Sequence, residues 1–227
     1  MTSALPAAVL WDMDGTLVDT EPYWHDVQRN LVAEFGGVFD EEQALGLVGS
    51  SLEISAAAMQ QMGVPWGTEH IIDHLTDQVM ARVRTRVPWR PGARELLADV
   101  RAAGVPTALV TMSIRRMAAE IAAAVPTEDG RPAFDVIVSS TDVTHPKPHP
   151  EAYLRAAELL GVRSEECVAI EDSGPGLAAA VASGARTVGV PHVVELPESD
   201  GYTLWPTLEG RSLSDLAGLP GAGELVR

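Results

Sequence analysis

Ala7-Ala8-Val9-Leu10-Trp11-Asp12-Met13-Asp14-Gly15-Thr16 decides how the rest of the chain is read. A short apolar run stops at a carboxylate, a second carboxylate stands two positions on, and Gly-Thr comes directly behind. An apolar run of this length, bounded by a turn signal, predicts a buried strand. In an open parallel sheet the carboxyl end of such a strand is where ligands gather.

A parallel sheet needs strands alternating with helices, and from Gly92 onward the sequence supplies them. A helix with Ala93, Leu96, Leu97 and Val100 inward ends at Gly104, a glycine suited to a C-terminal cap. A strand at Thr107 to Val110 leads to a helix carrying Ile114, Met117, Ala118 and Ile121. After a Pro/Gly loop come a strand at Asp135 to Val138 and a helix with Tyr153, Ala156, Ala157 and Leu160 on its apolar face. A strand at Cys167 to Ile170, a small-residue helix ending near Gly184 and a strand at Thr187 to Val190 complete the series. The fold class is therefore α/β, a doubly wound parallel sheet with helices on both faces.

Between Glu21 and Arg86 the period changes. Trp24, Val27, Leu31 and Phe35 share one helical face, Leu52, Ala56 and Met59 a second, and Ile72, Leu75, Val79 and Val83 a third. This stretch has no strand candidate, and Pro88 and Pro91 close it. It predicts a small all-helical domain, 21–87, inserted after the first strand of a core made of 1–20 plus 88–227. The tail after Pro191 is rich in Pro and Gly, with a hint of helix at Leu213 to Leu216.

Length and charge narrow the function classes. At 227 residues the chain can bury a large core and a smaller one. Thirty-two acidic against sixteen basic side chains give a net charge of -16, which repels nucleic-acid backbones and anionic membranes. No stretch approaches the roughly 18 apolar residues that cross a bilayer, and the N-terminus lacks the basic region of a secretion signal. A cytoplasmic protein, monomeric or weakly dimeric, is expected. The single cysteine, Cys167, lies in an apolar run and reads as a buried structural thiol.

The residues just beyond the strands form a chemically consistent set. Asp12 and Asp14 stand after the first, Thr111, Met112 and Ser113 after the second, Lys147 several residues past the third, and Glu171-Asp172 after the fourth. Crowded carboxylates repel one another unless a cation intervenes, and hard oxygen ligands suit Mg2+. Asp12 and Asp172 are the metal-ligand candidates, with Glu171 as a further one. Lys147 and the Thr111 hydroxyl would neutralise phosphate. Ser113 reads as the cap of the next helix, reaching phosphate through its amide. Gly174-Pro175-Gly176 faintly suggests a dinucleotide loop, but two acids precede it and the third glycine is missing. His145 and His149 have a zinc-like spacing, yet Pro146, Pro148 and Pro150 exclude the helix that such a pair ordinarily uses.

The order Asp12-Met13-Asp14-Gly15-Thr16-Leu17-Val18-Asp19-Thr20, Thr111, Lys147 and Glu171-Asp172 resembles the haloacid dehalogenase superfamily in its phosphatase branch. The resemblance spans Val9 to about Val190. It implies a Rossmann-like core with an inserted helical cap, a small phosphorylated metabolite as substrate and Mg2+ as cofactor. Asp12 is implied as the nucleophile, forming an aspartyl-phosphate, and Asp14 as general acid and base, with its backbone carbonyl on the metal. Thr111 and Lys147 are implied to hold phosphoryl oxygens, and Asp172 to complete the metal site. Leu47-Val48-Gly49-Ser50-Ser51 resembles the cap's substrate-facing loop. Glu21, Trp24, His25, Gly49 and Ser50 are the candidate specificity residues.

Within the family the chain looks most like the beta-phosphoglucomutase and sugar-phosphatase subgroup. Glu21-Pro22-Tyr23-Trp24 resembles the sugar phosphatases, whereas mutases typically carry histidine where Trp24 stands, although His25 is adjacent. Thr111-Met112-Ser113 and Ser139-Ser140-Thr141-Asp142 also depart from common family patterns without removing a catalytic group. The expected function is a phosphatase for a sugar or polyol phosphate. A sugar-phosphate isomerase is the alternative, and a non-catalytic module binding a phosphorylated effector comes third. Dehalogenation is disfavoured by Asp14, because a carbon-halogen bond needs no acid for its leaving group.

Overall fold

The computed structural model describes residues 4–47, 50–127 and 130–220. The chain separates into two compact units, one joining the residues up to Val18 to those from Trp89 onward, the other Asp19–Pro88.

The larger unit is built on a sheet of six parallel strands. In chain order they are β1 (Val9–Trp11), β2 (Thr107–Val110), β3 (Val136–Val138), β4 (Val168–Glu171), β5 (Arg186–Gly189) and β6 (Thr203–Leu204), arranged β3-β2-β1-β4-β5-β6. β1 is central, with Trp11 in register with Leu109 on one side and Ile170 on the other. All residues of β1, β2 and β4 are buried, as continuous apolar runs covered on both faces require. The sequence places the first five strands to within a residue or two. The two-residue β6 escaped it because Thr203-Leu204 is too short to show a period.

Helices of this unit bear out the expected apolar faces. Ala93, Leu96, Leu97 and Val100 are buried in one (Ala93–Ala102), and Met117, Ala118 and Ile121 in another (Arg115–Ala124). A third, Glu151–Leu160, buries Ala152, Tyr153, Ala156 and Ala157, which pack with Leu10, Val110, Val138 and Ala169 in one hydrophobic core. Helix Gly174–Ala182 comes directly after β4, and a short helix, Leu213–Ala217, forms where the tail hinted at one.

The smaller unit contains four helices among its described residues, Glu21–Glu34, Glu41–Leu47, Leu52–Gln61 and Thr68–Thr85. Trp24, Val27 and Leu31 are buried as the 3.6-residue period predicts, while Phe35 lies past the helix end and meets Trp66 edge-on at 5.4 Å. In the fourth helix Ile71, rather than Ile72, joins Leu75, Val79 and Val83 in the buried stripe. Thr76 makes this possible by returning its hydroxyl to Ile72 O at 2.7 Å. No described helix is long and apolar enough to cross a membrane.

Candidate active site

Asp12 stands where β1 ends, its amide still donating to Ile170 O at 3.0 Å. The chain then turns tightly. The amides of Leu17 and Val18 both donate to Met13 O, and that of Gly15 to Val18 O at 2.7 Å. Gly15 sits at φ +88°, and a Cβ there would fall 1.9 Å from Asp172 Oδ2. Glycine is thus required twice, for the left-handed backbone and for the approach of a carboxylate.

The turn presents Asp14 to the end of β2. Ser113 Oγ donates to Asp14 Oδ2 at 2.7 Å, and Thr111 Oγ1 lies 3.4 Å from the same oxygen. This corrects the expectation that Ser113 caps the next helix. That helix begins at Arg115 with Ile114 in the cap position and no side-chain cap. The helix starts one residue too late for Ser113 to sit in the cap position, and its hydroxyl proton goes to Asp14 instead. Thr111 is buried and its Oγ1 accepts the Ser113 amide at 2.9 Å, which holds the loop in shape. Half-buried Met112 packs against the core beneath.

Lys147 comes from the proline-rich loop after β3, and its side chain is only 5% exposed. Its Nζ donates to Asp12 Oδ1 and Glu171 Oε1, each at 2.7 Å, and to Val110 O at 2.9 Å. These acceptors match the three protons of an ammonium. Burial pushes its pKa down, but the two carboxylates outweigh burial and hold it above the ordinary lysine range. The Ser139–Asp142 loop that precedes it is tied by Asp142, which accepts the Ser139 amide and an Arg115 guanidinium bond, both at 2.8 Å.

Glu171 is fully buried and saturated with donors. Oε1 accepts from Lys147 and, at 2.8 Å, from the Tyr153 hydroxyl. Oε2 accepts the amides of Asp172 and Ser173 and the Ser173 hydroxyl at 3.1, 3.2 and 3.1 Å. Gly176 leaves the space, since a Cβ there would meet Glu171 Oε1 at 1.9 Å. The carboxylate thus rests on the N-terminus of helix Gly174–Ala182, whose dipole favours it. Sequence reasoning missed Tyr153 as part of this site because its position is that of a core residue. The available signal was its hydroxyl, which a buried tyrosine must place on a partner.

The remaining oxygens are of the kind that a hard cation takes. Asp12 Oδ2 is buried without a hydrogen-bond partner. Asp12, Glu171 and Asp172 each offer an oxygen lying within 4.8 Å of the others. Burial, then the charge of Glu171, raises Asp12 to about 7 against the opposing pull of Lys147. Burial, then the charges of Asp12 and Glu171, raises Asp172 to about 9. The hard, all-oxygen donor set fits Mg2+. With the Glu171 oxygens committed to protein donors, Asp12 Oδ2 and the half-buried Asp172 are the oxygens that could hold the ion.

The candidate specificity residues lie in the smaller unit. Glu21 opens the first helix and His25 Nε2 lies 3.8 Å from its Oε2, while Trp24 is buried. The Ser50 amide donates to Leu47 O at 3.0 Å. Gly49 and Val48 lie outside the described residues.

A doubly wound sheet with carboxylates, hydroxyls and a buried lysine at its strand ends defines a hydrolase class. The family model for haloacid dehalogenase-like hydrolases matches residues 9–190, and the chain belongs to that family. Hexitol phosphatase B of Escherichia coli (strain K12) is 29% identical over 188 residues, which are 81% of this chain and 83% of that protein. The bifunctional riboflavin kinase/FMN phosphatase of Arabidopsis thaliana is 31% identical over 189 residues, 82% of this chain. Of that plant protein the match spans about half the length, 49%. CbbY from Rhodobacter sphaeroides, solved in complex with phosphate, is 28% identical with a TM-score of 0.81, covering 93% of this chain and 99% of its own.

Proposed function

We propose that this enzyme is a Mg2+-dependent phosphatase that hydrolyses a sugar or polyol phosphate through an aspartyl-phosphate on Asp12. The observation that carries the reading is the Asp12 carboxylate, which has one oxygen anchored by Lys147 and the other without a hydrogen-bond partner. The phosphatase activity named for E. coli hexitol phosphatase B supports the substrate class, and the phosphate bound by CbbY supports a phosphate site.

In the proposed reaction an Asp12 oxygen attacks phosphorus as the bond from phosphorus to the sugar oxygen breaks. Asp14, as the carboxylic acid, gives its proton to that leaving oxygen. Water then attacks the phosphorus of the aspartyl-phosphate and Asp14, now a carboxylate, takes a water proton. Phosphate departs and the Asp12 carboxylate is restored. The Thr111–Ser113 loop holds phosphoryl oxygens, and Lys147 joins it by turning one proton from an Asp12 oxygen to the phosphoryl group, with Glu171 keeping the lysine charged and in place. Mg2+ held by Asp12, Asp172 and the Asp14 carbonyl would supply the positive charge that lets an anionic nucleophile approach an anionic phosphorus. Trp24, at a position where mutases typically carry histidine, supports net hydrolysis over isomerisation.

The test is phosphate release from a panel of sugar and polyol phosphates, with Mg2+ and with chelator. Activity on a panel member that needs Mg2+ and disappears in Asp12→Asn is the expected result. Turnover retained by Asp12→Asn would refute the nucleophile.

A further inference from the structure

His145 and His149, on the loop that carries Lys147, and Glu151, the first residue of the helix that follows, each offer a ligand atom, and these atoms lie within 4.8 Å of one another. The prolines that exclude a helix do not separate the two imidazoles. Pro146, Pro148 and Pro150 fold the stretch back on itself, and the rings stand 4.6 Å apart between centroids. Each ring turns its Nδ1 to Glu151. His145 Nδ1 lies 2.7 Å from Glu151 Oε2, and His149 Nδ1 accepts the Glu151 amide at 3.2 Å. Glu151 is itself fixed by the amides of Thr144 and His145, at 2.7 and 2.9 Å. The carboxylate is therefore oriented before any ligand arrives.

We propose that His145, His149 and Glu151 form a second metal site, separate from the acidic pocket and selective for a borderline transition ion, with Zn2+ the best match. Two imidazoles and one carboxylate are a common zinc donor set, and solvent supplies a fourth ligand because both histidines are exposed. Imidazole donors disfavour Mg2+, so the two sites sort the two cations by ligand softness. The ion takes the place of the hydrogen bond between His145 and Glu151. Their 2.7 Å separation needs to open only slightly, to the about 3.3 Å between two ligands of a tetrahedral zinc. The prolines restrict the backbone beforehand, which lowers the entropy lost when the three side chains are gathered.

The experiment is calorimetric titration of zinc chloride into the full-length Asp12→Asn/Asp172→Asn protein, whose acidic pocket is disabled. One zinc per chain is expected. Adding His145→Ala or His149→Ala should weaken it at least about tenfold, while adding His70→Gln/His74→Gln should leave it unchanged. Absence of binding in the starting protein, or an isotherm insensitive to His145 and His149, overturns the site. The unmutated protein gives an independent reading by histidine ring NMR with paramagnetic Co2+. Broadening of the His145 and His149 rings ahead of the other histidines supports the site, and broadening led by His70 and His74 overturns it.

Discussion

Lys147 Nζ and Glu171 Oε1 meet at 2.7 Å with side-chain exposures of 5% and 0%. The pair joins the loop after β3 to the end of β4 across the mouth of the central strand. Because the lysine also touches Asp12 and the glutamate also accepts from Tyr153, a core tyrosine is tied to the proposed nucleophile through two ionised groups.

Breaking that chain at its centre should be costly. Glu171→Ala leaves Lys147 with an unpaired share of buried charge and strands the donors of Tyr153, Asp172 and Ser173. Removing one member of a buried ion pair typically costs about 3–5 kcal/mol. Tyr153→Phe removes one donor from an acceptor that keeps several others, so about 1 kcal/mol is expected. Urea unfolding of both variants checks the ranking, and equal losses would contradict it.

Gly15→Ala should separate folding from cation binding. The new methyl collides with Asp172 Oδ2, and alanine at φ +88° is strained by about 1–3 kcal/mol. The short aspartate side chain can swing aside, so the fold survives but a proposed ligand leaves its place. The expected outcome is a marked rise in the Mg2+ concentration needed for half-maximal phosphate release. An unchanged activation curve would count against Asp172 as a ligand.

Asp14→Asn should affect substrates according to their leaving groups. A sugar alkoxide needs a proton, and its loss is expected to slow hydrolysis by about 10²–10⁴-fold. p-Nitrophenolate leaves without help, so the first step proceeds while attack of water on the aspartyl-phosphate is impaired. Stopped-flow absorbance should show a burst of nitrophenolate and then slow turnover. Equal slowing on both substrates, without a burst, would remove Asp14 as the acid.

Stability should couple to pH and Mg2+ together. The raised values of Asp12 and Asp172 mean that the folded, cation-free protein retains protons that the unfolded chain has released. Stability of the cation-free protein therefore falls as pH rises from the ordinary carboxylate value near 3.8 through about 7 and about 9. A cation competes with those protons, so the increase in unfolding temperature produced by Mg2+ should grow across the same range. Thermal unfolding in chelator and in Mg2+ at several pH values measures this, and a Mg2+ effect that shrinks with pH would contradict it.

Much of the sheet was legible because its strands are continuous apolar runs, whose burial on both faces is decided by composition alone. β6 and the helix Glu41–Leu47 were not, since each is too short to display a period, and β6 exists by pairing with β5. In the site, Asp12, Asp14, Lys147, Glu171 and Asp172 stood out by charge at strand ends. Tyr153 did not, because its ring belongs to the core and only its hydroxyl reaches the carboxylate. Ser113 was read as a cap because local rules weigh its nearest amides and not the distant Asp14.

The sequence by itself determined where polar groups interrupt apolar strands, and with that the edge of the sheet at which chemistry collects. Tertiary structure decided which oxygen each donor serves. It gave Lys147 to Asp12 and Glu171, filled both Glu171 oxygens, left Asp12 Oδ2 bare and folded two histidines onto Glu151 without a helix. Burial arises from hydrophobic pattern, which is local along the chain. Hydrogen-bond partnership arises from distances of a few ångströms between residues as far apart as Asp12 and Lys147, which packing alone sets.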